Sequence, residues 1–150
     1  MTPRRLCRAM SLESKPSLAS KVRAFAELLA QGRSLEAMER FYAAEVTLFE
    51  NRELACAGKE QCLAAERAAL AKQPEPPRIK LLKLAVDEEQ GHAFLEYVAR
   101  FSAADGRAMR LEQVAVQTWE RGLIVEERFY YEGVVDEGDE TEAGATEDEA

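Results

Sequence analysis

Histidine, tryptophan and cysteine are scarce in this chain of 150 residues, which holds one His, one Trp and three Cys. An odd number of cysteines without C-x-x-C spacing fits neither a disulfide framework nor a zinc site, so no metal or cofactor is expected. Cys62 reads as a small apolar residue on a helix. A nucleophilic cysteine needs a nearby base, and the only histidine, His92, stands at the start of a strand beside a turn, where a surface role is expected. No apolar run approaches the roughly 20 residues that span a bilayer. The chain also lacks an internal repeat and a strand–glycine-loop–helix phosphate site. Arg4, Arg5 and Arg8 make the N-terminus basic without the apolar run of a secretory signal, and Met10 is an alternative start to Met1. These absences point to a cytoplasmic protein that acts neither on membranes nor on nucleic acid.

What the chain does have is acid, unevenly placed. It carries 20 Lys and Arg against 28 Asp and Glu, a formal charge of −8. Nine of the acidic residues and none of the basic ones fall between Glu132 and Ala150, so the rest of the chain is nearly neutral. A body without a basic stripe, followed by an acidic tail, excludes phosphate-backbone binding. The tail has nothing apolar beyond Val134 and Val135 and is expected to be disordered, either solubilising the domain or docking a basic partner. With 47% hydrophobic residues the body has enough for one real core. The expected organisation is a flexible segment over 1–16, one domain over 17–133 and the acidic tail over 134–150.

Hydrophobic spacing assigns the elements. Leu18, Val22, Phe25, Ala26 and Leu29 form one helical face, closed by Gly32. Ser34 is placed to cap a second helix running through Met38, Phe41 and Tyr42. Val46–Glu50 reads as a strand, Asn51–Ala57 as a loop ending at Gly58, and Lys59–Lys72 as an Ala-rich helix stopped by Pro74, Pro76 and Pro77. From there the period becomes two: Ile79–Val86, Ala93–Phe101, Met109–Trp119 and Leu123–Tyr131 read as strands. The turns Glu88–Gly91, Ala104–Gly106 and Glu120–Gly122 each end in glycine. Short turns imply an antiparallel meander, and helices gathered before it imply an α+β domain.

The order helix, helix, short strand, helix, four-stranded meander resembles the nuclear transport factor 2-like superfamily, and most of all its SnoaL-like family. The resemblance is carried by Phe41-Tyr42-Ala43-Ala44-Glu45-Val46-Thr47-Leu48-Phe49-Glu50, by Gly58-Lys59, and by the run from Trp119 to Tyr131. It implies three N-terminal helices packed on a curved, mainly antiparallel sheet forming a cone with a pocket. It also implies a homodimer through the outer sheet face. Members include isomerases, dehydratases, cyclases, epoxide hydrolases and non-catalytic modules, so no reaction follows from the fold.

By the same resemblance, Glu50 stands where ketosteroid isomerases of the superfamily keep a general-base carboxylate, which an apolar pocket would tune for proton transfer. Their two oxyanion donors fall here on Phe25 and Ala115, which have no polar hydrogen to offer. The last-strand histidine and aspartate of the polyketide cyclases fall near Glu127 and Phe129. The Asp–Arg–Asp and His–Asp sets of the hydrolases and dehydratases have no counterpart. The implied register turns Gln113, Ala115, Gln117 and Trp119 inward, with Val125, Glu127, Phe129 and Tyr131 from the last strand and Glu50, Asn51 and Phe25 beside them. It leaves open whether Glu96 or Tyr97 faces in. Such a lining suits a small, partly apolar ligand, with Glu50 as proton-transfer group or anchor. The alternatives are a non-catalytic homodimeric scaffold, whose aromatics simply fill the core, and a partner-binding module working through the tail.

Overall fold

The computed structural model describes residues 16–138. Residues 1–15 of the expected N-terminal segment and all of the tail beyond Gly138 lie outside the described residues. Helix α1 (Leu18–Ala30) begins where the Ser17 side chain accepts a hydrogen bond from the Ser20 amide. The amides of Leu18 and Ala19 donate to the Glu88 carboxylate at 3.0 and 2.8 Å, so an acid distant in sequence satisfies the free donors of the helix start. Val22, Phe25, Ala26 and Leu28 form its buried face. Burying Val22 and Phe25 contributes about 1.5–3 kcal/mol each. Helix α2 (Ser34–Phe41) follows. Ser34 does not cap it: Arg33 holds the cap position, and the Ser34 hydroxyl donates instead to Glu66 at 2.6 Å. That hydrogen bond ties α2 to helix α3 (Lys59–Ala71).

Between these helices lie β1 (Tyr42–Glu50) and β2 (Glu53–Ala57), an antiparallel hairpin. The segment expected as a loop therefore holds a second strand. Asn51 makes the turn at φ +53°, a conformation that Asn tolerates better than most residues. Its amide donates to the Phe129 carbonyl at 2.8 Å, and its Oδ1 accepts from the Tyr131 amide at 3.1 Å. The meander then comprises β3 (Arg78–Asp87), β4 (His92–Ser102), β5 (Ala108–Glu120) and β6 (Leu123–Tyr130). A short β7 (Val134–Asp136) pairs with Met109–Leu111. The tail's first residues thus lie in the sheet: β5 is longer than β6, and β7 takes up the backbone groups that the overhang leaves open.

The sheet corrects the expected cone. Its order is β2-β1-β6-β5-β4-β3, an open path with β2 and β3 as separate edges, neither closed nor strongly curled. It is mixed, because β1 runs parallel to β6 while the other pairs are antiparallel. Helices, rather than closure of the sheet, cover its inner face: α1 packs on β3, and α3 packs on β1 and β2. The core between the layers is built from Leu95, Tyr97, Ala115, Trp119 and Ile124 of the sheet against Val22, Phe25, Met38 and Phe41 of the helices. Tyr97, not Glu96, faces inward; Glu96 pairs with Lys83 on the outer side. Among the described residues no helix is long and apolar enough to cross a membrane.

Gly91 closes the β3–β4 turn at φ +73°, and its carbonyl accepts from the Trp119 amide at 2.7 Å. A Cβ built on it would stand 2.6 Å from the Trp119 carbonyl oxygen, whereas at Gly106, φ +87°, a Cβ meets nothing within 4 Å. Gly91→Ala is therefore expected to cost both the conformational and the steric penalty, about 2–3 kcal/mol, and Gly106→Ala the conformational one alone, about 1 kcal/mol. Urea unfolding of the two variants reads that difference directly. Equal costs would mean that the β4–β5 end relaxes around Gly91.

Candidate functional site

A polar cluster lies inside the core, and the strand register builds it. Gln117 on β5 pairs directly with Glu127 on β6, so both side chains share the inward face. Beyond them the register slips by one residue: Thr118 pairs with Glu126, but Trp119 pairs with Ile124. Val125 is the extra residue of that bulge. It is half-buried, and Ile124, fully buried, takes the inward place expected for it. The parallel pairing of β1 with β6 sets Tyr42 opposite Ile124.

The hydrogen bonds run in one direction. Trp119 Nε1 donates to Gln117 Oε1 at 2.9 Å, and Gln117 Nε2 donates to Glu127 Oε2 at 2.5 Å. The Tyr42 hydroxyl donates to Glu127 Oε1. Indole nitrogen can only donate, which fixes the Gln117 amide with its NH2 toward Glu127. Both carboxylate oxygens therefore accept. Glu127 is 2% exposed, and among the described residues no cation pairs with it. Burial pushes its carboxyl above the ordinary 4.5; the bonds from Tyr42 and Gln117 oppose that rise, and the charge of Glu66 adds to it. Burial, and then the Glu127 charge, hold the phenols of Tyr42 and Tyr97 well above their ordinary 10.0.

Beside this cluster, between α2, α3 and the β1–β2 hairpin, lies an open-mouthed cavity of about 320 Å³. Met38, Leu48, Ala65 and Phe129 supply apolar wall; Ser34, Tyr42, Glu50 and Glu66 supply polar groups. Tyr42 belongs to both structures, with its hydroxyl on Glu127 and its side chain in the cavity wall. Cys56 and Cys62 also line the cavity. Burial, followed by the neighbouring Cys56, pushes the Cys62 thiol to about 12, so it is not a thiolate nucleophile near neutral pH.

The residues singled out from sequence are not brought together in one place. Glu50 and Phe129 line the cavity. Glu50 is exposed at the end of β1 and accepts a bond of 3.3 Å from the Tyr131 hydroxyl; the desolvation expected of it is found at Glu127. Gln117, Trp119 and Glu127 form the buried cluster, with Ala115 buried beside them on β5. Phe25 packs in the core, stacked on Tyr42 at 6.5 Å and edge-on to Phe41 at 6.0 Å. Asn51 is a turn residue, and Gln113, half-buried, bonds to Tyr97. Tyr42, Ser34 and Glu66 were not among the candidates. Tyr42 reads as the end of the apolar face of α2, and the Ser34–Glu66 bond joins residues 32 apart with no local pattern.

Because the folded state raises the Glu127 carboxyl, it holds that proton more tightly than the unfolded chain does. The stabilisation associated with protonation is complete below the ordinary carboxylate range and is lost as pH rises through the raised value. In Glu127→Gln the amide oxygen can still accept from Gln117 while its NH2 donates to the Tyr42 oxygen. The difference in unfolding free energy between wild type and this variant, measured in urea from pH 4 to 8, is expected to move against the wild type as pH rises. A difference flat across that range would show that Glu127 titrates as it does in the unfolded chain.

The same framework is found in known proteins. Residues 22–127 match the SnoaL-like domain. No curated protein matches the sequence. A protein from Jannaschia sp. CCS1, proposed to be a SnoaL-like polyketide cyclase, superposes with TM-score 0.66 at 13% identity, over 79% of this chain and 89% of its own. One from Mesorhizobium loti with the same proposed assignment gives TM-score 0.59 at 23% identity, over 77% and 100%. An NTF2-like protein of unknown function from Burkholderia pseudomallei K96243 gives 0.66 at 17%, over 79% and 92%. These likenesses show a fold shared with NTF2-like proteins, and the domain match runs from α1 into β6: the chain belongs to the SnoaL-like family.

Proposed function

We propose that the chain binds a small, partly apolar molecule in the cavity between α2, α3 and the β1–β2 hairpin. The observation that carries this reading is Tyr42, a cavity-wall residue whose hydroxyl is bonded to a buried carboxylate. A wall that is apolar except for a few fixed polar groups is the usual make-up of a small-molecule site. The chemistry this geometry offers a bound molecule is proton transfer. A hydroxyl both accepts and donates, so the Tyr42 oxygen can take a proton from the ligand as its own passes to Glu127 Oε1. Glu50, exposed at the cavity's edge, serves as an anchor for the ligand's polar end.

Ala69 lines the cavity from the exposed side of α3, so Ala69→Trp obstructs it without disturbing the core. In a fragment screen by amide chemical shifts, hits are expected to move Met38, Leu48, Cys62 and Phe129 in the wild type and to lose those shifts in Ala69→Trp. A saturating hit should raise stability by about 2.7 kcal/mol at 100 times its Kd in the wild type only. Hits that bind both proteins equally would place the binding elsewhere and defeat the reading.

A homodimer is proposed as well, on a separate observation. The outer sheet face exposes Leu82 (48%), Phe94 (43%) and Tyr130 (51%), next to the half-buried Val114 and Val116. An apolar sheet face of this kind is a self-association surface when two copies apply it to each other. Phe94→Glu is expected to halve the mass found by sedimentation equilibrium while the far-ultraviolet spectrum is kept. A wild type that sediments as a monomer at every concentration would remove the proposal.

A further inference from the structure

The cavity proposed above as a binding site has a one-sided chemistry. Among the described residues its two charged lining residues are both acids and come from different walls, Glu50 at the end of β1 and Glu66 on α3, and no Lys, Arg or His lines it. Neither acid forms an ion pair among the described residues. A third carboxyl group, Glu127, lies behind Tyr42, again with no cation paired to it among the described residues.

The neutral groups point to the same kind of partner. Ser34 gives its hydroxyl proton to Glu66 at 2.6 Å, and Tyr42 gives its own to Glu127. What each offers the cavity is an oxygen lone pair. The cavity therefore presents acceptors and negative charge beside apolar wall.

We infer that the ligand of this cavity is a protonated amine on a compact apolar body, an inference that rests on the binding reading above. An ammonium brings donors without acceptors, which matches carboxylate and lone-pair partners, and its charge is attracted by the two lining acids, Glu50 and Glu66. A carboxylate or phosphate ligand would meet these two like charges, and a neutral alcohol would gain only the apolar contact and one or two ordinary hydrogen bonds.

The test uses the full chain and three probes of one shape: 4-phenylbutylamine, 4-phenylbutan-1-ol and 4-phenylbutyrate, titrated at pH 7 and followed by amide chemical shifts. The amine is expected to bind about tenfold or more tightly than the alcohol, the advantage of one charge-assisted bond, and the acid more weakly than either. Glu66→Gln, which keeps the Ser34 bond, and Glu50→Gln should each reduce amine affinity about three- to tenfold and leave the alcohol unchanged. If alcohol and amine shift the cavity amides with equal affinity, or if both Gln variants keep the full preference for the amine, the inference falls while the cavity remains a binding site. If none of the three probes shifts the amides of Met38, Leu48 and Phe129, the binding reading falls with it.

Discussion

Burying a carboxyl group with no cation beside it among the described residues is the constraint around which the interior of this protein is arranged. A lone ionised acid in an apolar medium is costly enough that it must be hydrogen-bonded on both oxygens or give up its charge. Glu127 is bonded on both, and each donor is itself held in place. The indole of Trp119, a donor only, sets the Gln117 amide. Phe41 meets the Trp119 ring edge-on at 5.7 Å, and Phe25 stacks on Tyr42. Removing one aromatic from this shell would therefore act on the polar cluster as well as on packing, since a loosened donor leaves an oxygen of Glu127 short of a partner.

The open sheet makes that arrangement possible. Parallel pairing of β1 with β6 brings the residue after α2 alongside the last meander strand, so a tyrosine at the helix–strand junction reaches an acid 85 residues later. The bulge at Val125 then corrects the phase. Ile124 and Glu127 both face the core although they are an odd number of residues apart, which an unbroken strand does not allow. A second irregularity, between Leu81 and Lys83, turns Leu82 out onto the outer face while Leu81 and Leu84 pack inward. Both faces of the sheet owe part of their composition to one extra residue in a strand.

Much of this was legible in the sequence, because helical and two-residue periods are direct consequences of which face is buried. The three helices, the four meander strands and the glycine turns follow from spacing, and the inward facing of Ala115, Gln117, Trp119 and Glu127 follows from register carried over by resemblance. What escaped depends on contacts that no local pattern encodes. The Val125 bulge leaves the polar and apolar alternation of β6 nearly unchanged. Strand β2, Glu-Leu-Ala-Cys-Ala, is short and largely exposed, and only its pairing with β1 makes it a strand. Ser34 has the right identity for a cap but spends its hydroxyl on Glu66. The exposure of Glu50 depends on whether the sheet closes over the end of β1, and in an open sheet it does not.

That last point bears on how an acid could act here. A carboxylate base needs a dry environment to be effective and access to reach its substrate, and a single residue at the edge of an open sheet cannot have both. In this fold the two requirements are divided. Glu50 has access, Glu127 has the dry environment, and Tyr42 both lines the cavity and donates its hydroxyl to Glu127. Under the proposed reading, a proton leaving a ligand need not reach a carboxylate directly. It replaces the proton that Tyr42 passes inward, and the acid never has to enter water. The phenol itself stays neutral throughout, consistent with a Tyr42 proton that burial and the nearby Glu127 charge hold tightly. In that proposal the hydroxyl does what a closed pocket would do for an exposed acid: it separates contact with the ligand from contact with solvent.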